Sequence, residues 1–195
     1  MTHELRDLSL DTAWIYEAIV CTSLGGVPHA APVGVWTDDQ RTLRMDLYRT
    51  SRTLARILEG GAFVVGFPGD ALALYEALHE PHKLRFDRAR MVDAPSLAGA
   101  GAVVELSLAG ASGDDPARVR GRVERVSASG RPRLINRAEG LLTESLILAT
   151  RAGRLGRDAT LARLEENARV VRKVAPGSSW DQAMSRLLRG VRAGS

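Results

Sequence analysis

Apolar residues recur at every second position, or in short compact runs, along the first two thirds of the chain, and at every third or fourth position along the last third. Trp14 to Thr22 is dominated by aromatic, β-branched and small apolar residues, which favour a strand. Leu24-Gly25-Gly26-Val27-Pro28 then supplies turn chemistry that returns the chain through His29 to Trp36 as a hairpin. After the turn Asp38-Asp39-Gln40, the stretch from Thr42 to Tyr48 sets Leu43, Met45 and Leu47 against Arg44 and Asp46. That period of two belongs to a strand with one buried face, so the start of the chain reads as a three-strand meander.

The period changes after Arg49-Thr50-Ser51, where Leu54, Ile57 and Leu58 fall on one helical side and Arg52, Arg56 and Glu59 on the other, with a stop at Gly60-Gly61. Ala62 to Phe67 is an apolar strand closed by Pro68-Gly69, and Asp70 caps a second short helix through Leu78. Two more strands are expected at Ala102 to Leu108 and Val119 to Val126. Six or so strands, mostly antiparallel, with short helices at the corners suggest a small closed barrel, because closure removes exposed edges.

From Arg131 onward the pattern is helical. Leu134, Ala138, Leu141, Leu142, Ser145, Leu148 and Ala149 share one face, and Leu161, Leu164, Ala168 and Val171 share another. A last helix begins at Ser179-Trp180, with Gln182 placed to complete a capping box. The expected fold class is therefore α+β, an antiparallel barrel over residues 1–130 followed by a helical C-terminal part over residues 131–195.

Length and composition fit this division. A chain of 195 residues, 45% of them hydrophobic, supports one domain with an appendage. Mean hydropathy is −0.10, and the longest apolar run, Leu141 to Ala149, contains Thr143, Glu144 and Ser145, so no membrane span is expected. The first ten residues carry Glu4, Arg6 and Asp7 in place of a basic and then apolar leader, which points to a cytoplasmic protein. Residues 1–130 have net charge −3 and residues 131–195 net +7, giving the overall +4. Of the basic residues only Lys83 and Lys173 are lysine, a skew that reflects base composition as readily as phosphate binding.

Two segments could carry chemistry. Tyr48-Arg49-Thr50-Ser51-Arg52-Thr53 joins a strand to a helix, and a helix N-terminus with hydroxyls and guanidinium groups makes a phosphate-sized anion site. The plainer reading is a capped helix with solvated arginines. His29-Ala30-Ala31-Pro32-Val33-Gly34-Val35 places a proline and small residues in a strand, which suits a flat ligand lying close to the backbone; the commoner meaning of such a proline is a protected edge. Cys21 reads as a core residue, and the single cysteine excludes an internal disulfide. His79-Glu80-Pro81-His82 lacks further ligands and reads as a surface loop, so no metal is expected. Leu97-Ala98-Gly99-Ala100-Gly101-Ala102 precedes a strand and lacks the third glycine of a dinucleotide fingerprint; it reads as a loop.

The order of these segments resembles the flavin-reductase-like split β-barrels that bind flavin mononucleotide (FMN), and in particular a largely archaeal branch of them. The resemblance rests on Ile15-Tyr16-Glu17, Ala30-Ala31-Pro32-Val33-Gly34, Ser51-Arg52-Thr53, Phe63-Val64-Val65 and Asn136-Arg137-Ala138, and it runs from about Trp14 to Thr150. It implies a ring contact at Ala31, Pro32, Val33 and Gly34 and a phosphate contact at Arg49, Thr50, Ser51, Arg52 and Thr53. It also implies a homodimer with each flavin near the subunit interface. Gly66 departs from the pattern, standing where a polar residue is expected.

The resulting expectation is a flavoprotein, a homodimeric oxidoreductase passing electrons between bound flavin and a small-molecule donor or acceptor, with the redox chemistry supplied by the cofactor. No catalytic acid or base stands out. The alternative is a non-enzymatic basic module whose helical tail contacts nucleic acid or an acidic partner, although no nucleic-acid recognition motif stands out.

Overall fold

A computed structural model of the chain describes residues 4–193. The chain divides into two compact units, one running to residue 12 and from 16 to 135, the other combining residues 13–15 with the chain from 136 onward.

The first unit is built on six long strands, β1 (Tyr16–Leu24), β2 (Val27–Trp36), β3 (Thr42–Leu47), β4 (Ala62–Phe67), β7 (Ala102–Ser112) and β8 (Ala117–Ala128). With them come α1 (Arg52–Gly60), α2 (Ala71–His79) and a small hairpin of β5 (Phe86–Arg88) and β6 (Pro95–Leu97). The long strands close an antiparallel barrel in the order β1-β2-β3-β8-β7-β4. The β1–β2 turn is tight because Gly25 and Gly26 both take positive φ, 58° and 77°, which suits the twist of a two-residue hairpin.

The register explains the core. Val35 lies opposite Met45 and Met45 opposite Val119, and all three are fully buried. Leu43 faces Gly121 in the neighbouring row. A Cβ at Gly121 would sit 2.5 Å from Phe63 Cζ and 2.9 Å from Leu106 Cδ2, so the phenyl ring occupies the space a side chain would need. The opposite face of β1 and β4 is buried as well. Ile19, Cys21 and Val64 pack with Ala30, Ala77 of α2, and Ala89, Ala94 and Leu97 of the hairpin. Glu105 holds that hairpin in place: its buried carboxylate accepts hydrogen bonds from the backbone N–H groups of Arg90 (2.9 Å) and Met91 (2.6 Å). Cys21 is a core residue, and burial pushes its thiol pKa up to about 12.

Several elements differ from the sequence expectation. β7 and β8 extend to eleven and twelve residues, with register shifts at Glu105/Leu106 and Leu108/Gly110 that interrupt the alternation. The three-residue strands β5 and β6 are too short to show a period. Leu58 is 49% exposed and lies off the buried side of α1, which is formed by Thr53, Leu54 and Ile57. Gly66 lies within β4, where a Cβ would come 3.1 Å from Leu97 Cβ, so packing of the hairpin accounts for the departure from the family pattern.

The second unit contains α3 (Arg137–Thr150), the single turn α4 (Ala152–Leu155), α5 (Arg157–Val174) and α6 (Ser179–Ala193). Ala138, Ala168, Val171, Val174, Ala175 and Met184 form its core, with Trp14 and Trp180 in contact at 5.4 Å. Asn136 organises its start: Oδ1 accepts from Ala138 N, while Nδ2 donates to the carbonyls of Ile15 and Val174. The cap of α6 lies one residue earlier than the sequence suggests. Ser178 Oγ accepts from Asp181 N at 3.1 Å, and Asp181 Oδ2 accepts from Gly177 N. Among the described residues no helix is long and apolar enough to cross a membrane.

The packing around Gly121 makes a test. Gly121→Val should lower unfolding stability by about 1–3 kcal/mol in urea titrations, because Phe63 and Leu106 must move. Gly140→Ala, in open space on α3, should raise it by up to about 1 kcal/mol. An unchanged midpoint for Gly121→Val would contradict this packing.

Candidate functional site

β2 is ten residues long but pairs with β3 only through Val35–Met45 and Trp36–Arg44. On the other side β1 pairs with nine of its ten residues, from Tyr16–Val35 to Leu24–Val27. The segment from Val27 to Gly34 therefore presents one backbone edge that no strand completes among the described residues. Strand alternation turns Pro32 and Gly34 to the face shared with Ile19 and Glu17, and Ala31 and Val33 to the face shared with Val20 and Ala18. All four are half-buried. What they offer in common is backbone, with little side-chain bulk.

α1 is fastened beside this segment. Ser51 is its N-cap, with Oγ accepting from Leu54 N at 3.2 Å, and Gly61 ends it with φ +67°. The bond that ties helix to strand joins His29 Nε2 on β2 to Thr53 Oγ1 on α1 at 3.1 Å. One turn further along α1, Arg56 donates to the carbonyl of Val27 at 2.7 Å. The two segments singled out by sequence are thus adjacent, although they are more than ten residues apart in the chain.

The residues of the strand–helix loop differ in what they can still bind. Arg49 is tied to the β7–β8 turn: its N–H donates to Asp115 Oδ1 at 2.9 Å, and its guanidinium donates to the carbonyls of Asp114 (2.6 Å) and Gly113 (2.5 Å). Thr53 is 3% exposed and its hydroxyl faces His29. Thr50 is exposed and Ser51 half-buried at the helix end. Arg52 is exposed and makes no hydrogen bond or ion pair among the described residues. The loop therefore retains a helix N-terminus, two hydroxyls and one free guanidinium for an anion.

The surroundings are electropositive. Burial lowers the pKa of His29, and the nearby Arg56 and Arg52 guanidinium groups lower it further. His29 opens one of the two segments singled out from sequence but is given no contact there, and Arg56 lies outside both. Arg56 follows Arg52 by four positions and so shares its helix face, a signal the sequence does contain. The His29–Thr53 contact depends on the hairpin register, which composition does not reveal.

Other sequence features carry less. His79 packs on Tyr75 with ring centroids 4.8 Å apart, and Pro81 opens a short 3-10 turn. Among the described residues, no three His, Cys, Asp or Glu side chains gather as a metal site. In the helical unit Arg169 pairs with Glu166, Arg172 with Asp181 and Arg192 with Glu165, so part of its positive charge is met locally.

The state of His29 has a measurable consequence. Its folded pKa lies below the ordinary value of 6.5, so the unfolded chain binds the proton more readily, and stability falls as pH drops from about 6.5 toward the folded pKa. Replacing His29 by Gln should flatten this part of the stability–pH profile, measured by urea unfolding between about pH 5 and 7.5. A variant with the same acid-side slope as the wild type would show that His29 is not the titrating group.

Comparison with known proteins places this geometry in a family. Similar solved structures include an FMN-bound DUF447-family protein from Methanosarcina mazei, 18% identical, with a TM-score of 0.54, covering 96% of this chain and 99% of that one. An NADH:FAD oxidoreductase from Streptomyces globisporus is 17% identical with a TM-score of 0.55, covering 62% of this chain and 79% of its own. Flavoredoxin from Methanosarcina acetivorans is 15% identical with a TM-score of 0.53, covering 60% and 74%. These likenesses share the barrel described above, the flavin-reductase-like fold. Residues 16–128 match the family described as a protein of unknown function (DUF447), N-terminal domain, and the chain belongs to that family.

Proposed function

We propose that this protein is an FMN-binding flavoprotein in which the N-terminal end of α1 holds the phosphate and the uncompleted edge of β2 backs the ring. The observation that carries this reading is the His29–Thr53 contact at 3.1 Å, which fixes an anion-ready helix end beside a half-buried, small-residue stretch of backbone. The FMN-bound relative, similar over nearly its whole length, supports the choice of cofactor. Thr50, Ser51 and Arg52 contact the phosphate, together with the free N–H groups of the first turn of α1. Ala31, Pro32, Val33 and Gly34 lie along the ring. Arg49 and Thr53 act as positioning residues, Arg49 by shaping the loop against the β7–β8 turn and Thr53 by docking α1 on β2.

Bound FMN supplies reversible electron transfer, which needs no protein acid or base. The chain's tasks are to neutralise the phosphate, keep the ring against β2 and limit what reaches its open face. Arg52 and Arg56 meet the negative charge, while the apolar packing of Ile57 and Leu54 keeps α1 rigid. The protein acts as a homodimeric oxidoreductase of the cytoplasm, with the flavin near the subunit interface and a small molecule as electron donor or acceptor.

The phosphate grip separates FMN from riboflavin. The purified protein should bind FMN about 100-fold more tightly than riboflavin in fluorescence-quenching titrations, the effect of two charge-assisted hydrogen bonds. Arg52→Gln should weaken FMN binding about tenfold and leave riboflavin binding unchanged. Equal affinities for the two flavins, or a protein that binds neither, would overturn the assignment.

A further inference from the structure

The outer face of β3, β8 and β7 carries a second basic site that the flavin reading does not use. In the barrel register Trp36 lies opposite Arg44, Arg44 opposite Arg120 and Arg120 opposite Gly110, forming one cross-strand row. The adjacent row sets Asp46 opposite Arg118 and Arg118 opposite Ser112. Two arginines directly opposite each other are unfavourable in a sheet unless negative charge lies between or beside them. Here the side chains border a cavity of about 280 Å³ lined by Arg44, Arg118, Arg120 and the small residues Gly110, Ala111 and Ser112.

The floor of this cavity is kept low by the sequence. Gly110 has no side chain, and a Cβ there would lie 3.9 Å from an Arg120 Nη atom, so the guanidinium rests across the glycine. The register shift between Leu108 and Gly110 is a local irregularity of the kind that re-aims a strand beside binding sites. Arg118 is held from two sides, by Asp46 at 3.0 Å and by the Trp36 ring at 5.4 Å from its centroid.

The charges around the cavity do not cancel. Asp38 lies 3.1 Å from Arg44 Nε, yet that buried nitrogen makes no hydrogen bond. Asp46 balances Arg118. Arg120 has no ion-pair partner among the described residues. Three forked donors around a space smaller than a typical cofactor pocket suit a compact anion with several oxygens.

We propose that Arg44, Arg118 and Arg120 form a binding site for a phosphate group, separate from the site at α1. The ligand is either inorganic phosphate or the phosphate group of a small organic molecule. Arg120 and Arg44 chelate its oxygens, and Arg118, stacked on Trp36, closes the third side. This inference is independent of the flavin assignment, because it involves none of the residues given to FMN.

The test follows arginine Nε resonances in the full-length protein by nuclear magnetic resonance during titration with inorganic phosphate and, separately, methyl phosphate. The expected result is a joint, saturable shift of Arg44, Arg118 and Arg120. Tighter binding of methyl phosphate identifies an organic monoester as the ligand, and tighter binding of inorganic phosphate identifies the free ion. Arg120→Gln, an exposed substitution, should weaken this binding about tenfold, whereas Arg52→Gln should leave it unchanged. Absence of a saturable shift at these three residues, or wild-type phosphate affinity in Arg120→Gln, would overturn the proposal. Neither outcome bears on FMN binding, which Arg52→Gln tests separately.

Discussion

The barrel's unequal ladder between β2 and β3 governs most of what this molecule can do. β1 pairs with β2 over nine residue pairs, but β3 pairs with it over two, so a length of β2 backbone is left without a strand on one side. A continuous barrel would have consumed those backbone groups in its own hydrogen bonds. α1 follows β3 and docks beside the gap through His29–Thr53 and Arg56–Val27, bringing the donors of a helix end to the same place. Local backbone chemistry and local positive charge meet there because the β2–β3 pairing stops short.

Much of the barrel is legible in the chain, and the reasons are physical. Thr42 to Leu47 alternates cleanly because one face is core and the other solvent, and Ala62 to Phe67 is apolar throughout because both of its faces are covered. Ser51, Asp70 and Gly61 mark helix ends by the roles their side chains, or the lack of one, can play. The β5–β6 hairpin escapes such reading, since three residues do not make a period. The extra length of β7 is hidden by bulges and by small residues, Ala109 to Ser112, that carry little hydrophobic signal. The α6 cap illustrates a finer limit: Ser178 and Ser179 are adjacent, and only geometry decides which hydroxyl meets the N–H of Asp181.

The candidate site divides in the same way. The meeting of β2 and α1, made by His29–Thr53 and Val27–Arg56, follows from the two elements flanking β3 in one meander. The use made of each side chain does not follow, because it depends on partners far away in sequence. Arg49 looks like a phosphate ligand until the turn at Gly113–Asp115 arrives beside it, 64 to 66 positions later, and engages its backbone N–H, Nε and one Nη. Thr53 is similarly withdrawn by His29. Charge counted along the chain misleads as well: the helical unit is the more basic part, yet several of its arginines are paired with neighbouring carboxylates, while Arg52 and Arg120 of the more acidic barrel part remain unpaired.

In the proposed function the end of α1 binds the FMN phosphate as a dianion, and phosphorus magnetic resonance reads that state directly. A free phosphate monoester titrates with a pKa near about 6. In the complex, the phosphorus resonance should hold its dianionic position from about pH 8 down to about pH 5, because Arg52 and the helix N–H groups favour the doubly charged form. A phosphorus signal of the bound flavin that titrates as it does in free solution would place the phosphate in water and contradict the account.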